Sequence, residues 1–270
     1  MKIIHRVSLT PNESQRRVLL SLGLPLIESN SPLVQLVSFD VEECEESWPR
    51  VKELIEQWKL ADFVRTEFSK GELDSASFHQ IFAWQQGYPQ PEGDFGYLNA
   101  TYDLTTYCPM CGIGNTQIAP FRMKDEPKWG KKHILQLNWV FDEYFVLPAV
   151  WKEVFQPLGI GCSPVLNHRT GNELTTVVQL DIKTTANSAL SMNDKYPSEI
   201  CGSCHRKKYL PISRGFFPAF TTDPSTQMCR TQEYFGSGAS AWNAVIANNA
   251  LYKTIQSNKL VGVTFVPLHA

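Results

Sequence analysis

Two Cys-x-x-Cys pairs constrain this chain more than any other feature: Cys108-Pro-Met-Cys111-Gly and Cys201-Gly-Ser-Cys204-His. Two intervening residues let the backbone turn tightly and aim both sulfurs at one point. Four thiolates arriving as two such pairs form the ligand set of a closed, tetrahedral structural zinc site. Gly112 and Gly202, beside the cysteines, suit such a turn because glycine tolerates positive φ. Eighty-nine residues separate Cys111 from Cys201, so the spacing is not that of a compact zinc ribbon. A whole domain must fold to bring the pairs together, and zinc would then clasp two distant segments. The expected ligands are Cys108, Cys111, Cys201 and Cys204, with Zn2+ as a structural cofactor.

The other three cysteines, Cys44, Cys162 and Cys229, are scattered and read as packing residues. A secreted disulfide scaffold is smaller and denser in cysteine, so a reducing cytosol fits this usage better. The N-terminus lacks the basic start and apolar stretch of a secretory signal, and no apolar run approaches a membrane span. With 43% hydrophobic and 19% charged residues the composition is that of a soluble globular protein. A formal net charge of -2 supplies no global field toward nucleic acid or an anionic membrane.

Along the first 90 residues, strand and helix patterns alternate. Ile3 to Leu9 alternates like a strand; Thr10-Pro11-Asn12-Glu13 predicts a helix start with Thr10 as N-cap; Leu33 to Val41 reads as a second strand. Ser47 reads as the cap of a helix carrying Val51, Leu54, Ile55 and Trp58, Phe63 to Phe68 reads as a strand, and Ser69 with Glu72 predicts a capping box opening a helix to about Phe82. This β-α-β-α-β order implies an α+β sandwich of ferredoxin-like kind. The loop from Gly87 to Gly93 marks a boundary, giving an N-terminal domain over 1–90 and a mixed α/β, zinc-clasped domain over 91–270. In the second, Tyr97 to Thr106 and His133 to Phe141 read as strands and Pro148 to Phe155 as a short helix. Ser163 to His168 and Leu174 to Ile182 read as a hairpin, Ser240 as the cap of a helix through Ile255, and Val261 to Leu268 as a closing strand.

Basic residues flank both pairs, and the candidate nucleic-acid or anion contacts are Lys128, Lys131, Lys132, Arg206, Lys207 and Lys208. The competing reading is charge balance, since zinc with four thiolates carries about two negative charges that nearby cations offset. Other chemistry is thin. Asp142 and Glu143 are sequence neighbours, so on a regular strand they face opposite sides, and only the tertiary fold could bring Asp103, Asp142, Glu143 and His168 together. The run from Phe235 to Ser240 resembles an anion-binding turn before a helix but lacks a P-loop lysine. No nucleophile elbow and no metalloprotease His-Glu-x-x-His occurs.

The run Tyr107-Cys108-Pro109-Met110-Cys111-Gly112, the Gly159-Ile160 before the hairpin, the second Cys pair, and the C-terminal Asn249-Ala250-Leu251-Tyr252-Lys253 with Lys259 to Pro267 resemble the bacterial double-CxxCG family. That family is similar to immunity proteins of polymorphic toxin systems. The resemblance covers about residues 97 to 268 and departs from the pattern at His205, where the family has glycine. It implies a stoichiometric binder of a toxin-like protein partner with zinc as scaffolding. A zinc-ribbon nucleic-acid-binding or regulatory protein is the second reading, and an enzyme with an unrecognised site the third.

Overall fold

The computed structural model describes residues 1–29, 35–87, 91, 93 and 95–269. The chain forms two compact units. One comprises Met1–Glu72 with Ile212–Gly215, and the other Leu73–Pro211 with Phe216–Ala270. The loop expected as the boundary, Gly87 to Gly93, lies largely outside the described residues.

The first unit runs β1 (Lys2–Leu9), α1 (Glu13–Ser21), β2 (Ile27–Glu28), β3 (Val37–Glu42), α2 (Trp48–Trp58) and β4 (Asp62–Glu67). Its sheet has the order β2-β3-β1-β4, antiparallel at each pairing. The short β2 is an element that the sequence pattern does not announce. In β3 alternate residues Val37, Phe39 and Val41 are buried, and Phe39 and Val41 pack with Val7, Leu19 and Val51 into one core. The α1 cap sits two residues later than expected. Asn12 accepts from the Gln15 N–H, and the Gln15 side chain returns the bond. Thr10 therefore stays outside the helix, and Ser47, expected to cap α2, holds the N-cap position in helical backbone geometry with no side-chain cap bond. His5 is buried against Trp48, with ring centroids 3.8 Å apart, and its two nitrogens meet Asp62 at 2.8 Å and Glu43 at 2.9 Å.

After the short helix α3 (Lys70–Ser75) comes β5 (Phe78–Gln86), where the capping box predicts a continuing helix. The Ser69–Glu72 box does form. The helix nonetheless ends at Ser75, because the next segment pairs with three strands, a tertiary demand that overrides the local start signal. Next come α4 (Tyr97–Thr101), β6 (Tyr102–Asp103), β7 (Thr116–Gln117), β8 (Arg122–Met123), β9 (Ile134–Leu137) and β10 (Val140–Val146). Most of the strand expected over Tyr97 to Thr106 is thus helix and turn. The expected His133 to Phe141 strand is instead split between β9 and β10, an antiparallel pair.

A short helix, α5 (Pro148–Val150), continues as a π-turn over Trp151–Phe155. The hairpin β11 (Cys162–Asn167) and β12 (Glu173–Leu180) forms as its turn signals predict. Then come β13 (Ser198–Ile200), β14 (Lys207–Tyr209), β15 (Phe217–Pro218), β16 (Met228–Phe235), β17 (Trp242–Asn248), α6 (Asn249–Ser257) and β18 (Val263–His269). The helix expected from Ser240 begins only at Asn249, capped by Asn248. The residues before it form β17, which lies between β16 and β5.

The large sheet of the second unit runs β13-β14-β16-β17-β5-β9-β10-β12-β11-β8, with β18 beside β5. Both of its faces are covered. Ile134, Tyr144, Val146 and Leu180 point into a core closed by Leu251, Tyr252 and Ile255 of α6. Their neighbours Leu135, Phe145 and Val177 point into an opposite core with Phe121 and Met123. Burial on both sides explains why β9 is buried at all four positions rather than alternating.

Candidate metal centre and the adjoining cleft

The two Cys-x-x-Cys segments fold into matching knuckles. In the first, the Gly112 N–H donates to Cys108 O at 2.8 Å and the Cys108 N–H donates to Ile113 O at 2.9 Å. In the second, the His205 N–H donates to Cys201 O at 2.9 Å and the Cys201 N–H donates to Arg206 O at 3.0 Å. The residue after the second cysteine is left-handed in both, with φ of 80° at Gly112 and 58° at His205. His205 therefore adopts the glycine conformation at an uncommon cost for a residue with a Cβ. Its side chain is exposed and finds room. Gly112 has no such freedom, since a Cβ there would lie 2.5 Å from Ala239 O.

The knuckles bring all four sulfurs within 4.8 Å of one another. Cys108 Sγ lies 3.8 Å from Cys201 Sγ, and Cys111 Sγ lies 3.6 Å from Cys204 Sγ. A tetrahedral ion with bonds to sulfur of about 2.3 Å has sulfur–sulfur edges of about 3.8 Å. The four thiols thus have the chemistry and spacing of a metal site, and none is in a disulfide. Among the described residues no other group of three or more His, Cys, Asp or Glu side chains has metal-binding geometry. Ile113, Tyr234 and Ala241 pack around the cluster.

The surroundings differentiate the thiols. The Arg206 guanidinium, with Nε 3.3 Å from Cys204 Sγ, draws that thiol down to about 6. Burial pushes Cys111 up to about 12. At Cys108 burial pushes upward, but the N–H groups of Cys111 and Met110 bring the net shift below the ordinary thiol value.

The six flanking cations do not form one set. Lys208 is buried, and its ammonium donates to the carbonyls of Cys111 and Ser240, each at 3.2 Å, and of Gly238. The Phe235 to Ser240 run, read from sequence as an anion-binding turn, in fact turns its carbonyls toward this cation and leads into a strand. Arg206 bonds Cys204 and, at 2.8 Å, Thr106 O, tying the two knuckles together. Lys207 is exposed, 4.5 Å from the Tyr209 ring centre. Lys128 and Lys131 are exposed, and the half-buried Lys132 lies 5.5 Å from the Trp84 ring centre. Of the scattered cysteines, Cys229 is buried, Cys162 half-buried and Cys44 exposed, so packing does not account for Cys44.

A second constellation escapes sequence reading. A cleft of about 550 Å³ is lined by residues of β6, β7, β10, β11, β12, β16 and β17. At its base Arg230 Nη1 bonds Asp142 at 2.8 Å and Nη2 bonds Glu143 at 2.7 Å. The neighbouring carboxylates converge because the β9–β10 register slips between Val140 and Phe145, breaking the strict alternation expected of them. Gln179 donates to the other Glu143 oxygen at 2.8 Å, and Gln117 pairs with Gln179 in turn. Burial raises Glu143 to about 7; Arg230 opposes that rise, and the charge of Asp142 adds to it. Arg230 keeps its proton throughout, held by both carboxylates. Asp103, the other acid that could have joined them, is exposed and bonded to Thr105.

Among the described residues no helix is long and apolar enough to cross a membrane. Comparisons with protein-family models, curated proteins and solved structures find no match for this chain.

Proposed function

We propose that this chain is a zinc-stabilised, cytosolic protein-binding module that acts as an immunity-like or antitoxin-like partner of a toxin-like protein. The observation that carries the structural half is the four-sulfur cluster itself. Four thiolates at tetrahedral spacing fill the coordination shell of zinc and leave no position for water or substrate. The metal then serves as scaffolding, and thiolate ligands suit a reducing compartment. Large apolar side chains stand in solvent next to the cluster. Met110, inside the first knuckle, is 67% exposed, and Ile200, just before the second, is 69% exposed. Such side chains favour a surface that meets another protein. The immunity-like reading rests on the resemblance of residues 97 to 268 to the double-CxxCG family. For the first unit, the β-α-β-β-α-β order with sheet order β2-β3-β1-β4 supports the ferredoxin-like reading.

The nucleic-acid reading draws on Lys128, Lys131 and Lys207, which face solvent, but loses Lys208 and the bonded head of Arg206. Capture from native cells separates the two readings. The binder reading expects one stoichiometric protein that survives a high-salt wash and whose toxicity this chain suppresses. Nucleic acid alone, released as salt rises, would replace it with the second reading. Metal analysis of the purified protein is expected to give one zinc per chain.

A further inference from the structure

The cleft has an unbalanced charge. Three carboxylates line it, Asp142, Glu143 and Asp181, against two cations, Lys183 and Arg230, so the balance is negative once Glu143, raised to about 7, has ionised. Both cations already have partners. Arg230 spends one Nη on each of Asp142 and Glu143, and its Nε donates to Ile182 O at 3.0 Å. Lys183 reaches Asp181 at 3.1 Å. Arg230 is thus held by the cleft's own carboxylates and by Ile182 O, while the Lys183 side chain is 81% exposed to solvent. Glu143 has both oxygens bonded, one to Arg230 and one to Gln179. Asp181 likewise has both bonded, to Ser163 and Lys183. Asp142 bonds Arg230 through Oδ2 and keeps a side chain 23% exposed in the cleft wall. The residual negative charge thus sits at Asp142. The rings of Tyr234 and Trp242 line the same cleft, and aromatic faces attract cations. A buried Arg–carboxylate network is also weak as a source of stability, because well-packed apolar residues do as well. Its presence under an open cleft calls for a use other than holding the fold.

We propose that this cleft binds an organic cation, a guanidinium or primary ammonium head, seated on Asp142 against the aromatic wall. Such a head is carried both by free small amines and by arginine or lysine side chains of a protein. The inference does not rest on the protein-binding reading above and can stand if that reading falls.

The test is titration of the full chain, at low salt and about pH 8.5 so that Glu143 is ionised, with agmatine and with N-acetyl-arginine amide, followed calorimetrically. Saturable one-to-one binding is expected for at least one. Tighter agmatine binding assigns the site to free amines, and the reverse order assigns it to a protein side chain. N-acetyl-citrulline amide, the uncharged isostere, is expected not to bind. Asp142→Asn leaves Arg230 balanced one-to-one by Glu143, so the variant is expected to fold. It should weaken binding about tenfold or more, the loss of one charged hydrogen bond. No saturable binding of either cation, equal binding of the citrulline compound, or an unchanged affinity in folded Asp142→Asn would each overturn the proposal.

Discussion

Replacing Cys201 by serine tests the clasp directly. Cys201 Sγ lies 3.8 Å from Cys108 Sγ at one vertex of the sulfur tetrahedron, so the substitution removes one of four ligands, and a hydroxyl is a poor ligand beside three thiolates. The clasp joins Cys111 to Cys201, ninety positions further along the chain. In the chain-entropy treatment, a cross-link closing a loop of roughly 90 residues restricts the unfolded chain by about 4.5 kcal/mol. Metal that also binds single Cys pairs in the unfolded chain reduces that figure. Against a total stability of about 5–15 kcal/mol this is a large fraction. The chain divides into two compact units and the clasp lies in one of them, so the readout is local. Hydrogen exchange in β16 and β17 serves, because Tyr234 at the end of β16 and Ala241 just before β17 pack on the cluster. In Cys201→Ser, and in wild type treated with a strong chelator, exchange there is expected to accelerate by about a hundredfold or more, equivalent to roughly 3 kcal/mol. Cys44→Ser, at an exposed thiol, is the control and is expected to change nothing. A metal-free wild type with unaltered exchange would show that packing alone holds the knuckles together, and the clasp argument would fail.

Lys208→Met should destabilise the second unit by about 2–4 kcal/mol in urea unfolding, since it strands three carbonyls around a buried site, while Lys128→Ala should stay within about 0.5 kcal/mol. His205→Gly relieves a left-handed residue in open space and is expected to stabilise by up to about 1 kcal/mol; Gly112→Ala, with Ala239 O in the way, is expected to destabilise by more than about 2 kcal/mol. Glu143 supplies a pH dependence. Its folded value is raised from 4.5 to about 7, so between these values the folded chain holds a proton that the unfolded chain has released. Its contribution to stability therefore falls as pH rises from about 4.5 to 7. Glu143→Gln, which cannot ionise, should flatten that part of the stability–pH curve; an unchanged slope would remove Glu143 as its source.

The four-cysteine group was legible because a Cys-x-x-Cys knuckle is local. Its turn and the direction of its sulfurs are decided within about six residues, and two such pairs meet in the manner their chemistry demands. The hairpin of β11 and β12 and the helix α2 were legible for the same reason. Their signals are turn residues and short-range periodicity. Where a strand's partners lie far along the chain, local signals misled. β5 follows a well-formed capping box, and β17 follows a serine at a plausible helix start, yet both are inner strands of the large sheet. Pairing with several neighbours outweighs a cap worth about 1 kcal/mol. The roles of the cations were likewise a tertiary matter. Lys207 and Lys208 are adjacent and chemically identical, and only strand alternation sends one to solvent and the other into a ring of carbonyls. The convergence of Asp142 and Glu143 on Arg230 needed a register slip and a residue some ninety positions away. Alone, the sequence determined what can bind a metal; the tertiary structure decided which charges are buried together, because burial and register depend on partners that are distant in the chain.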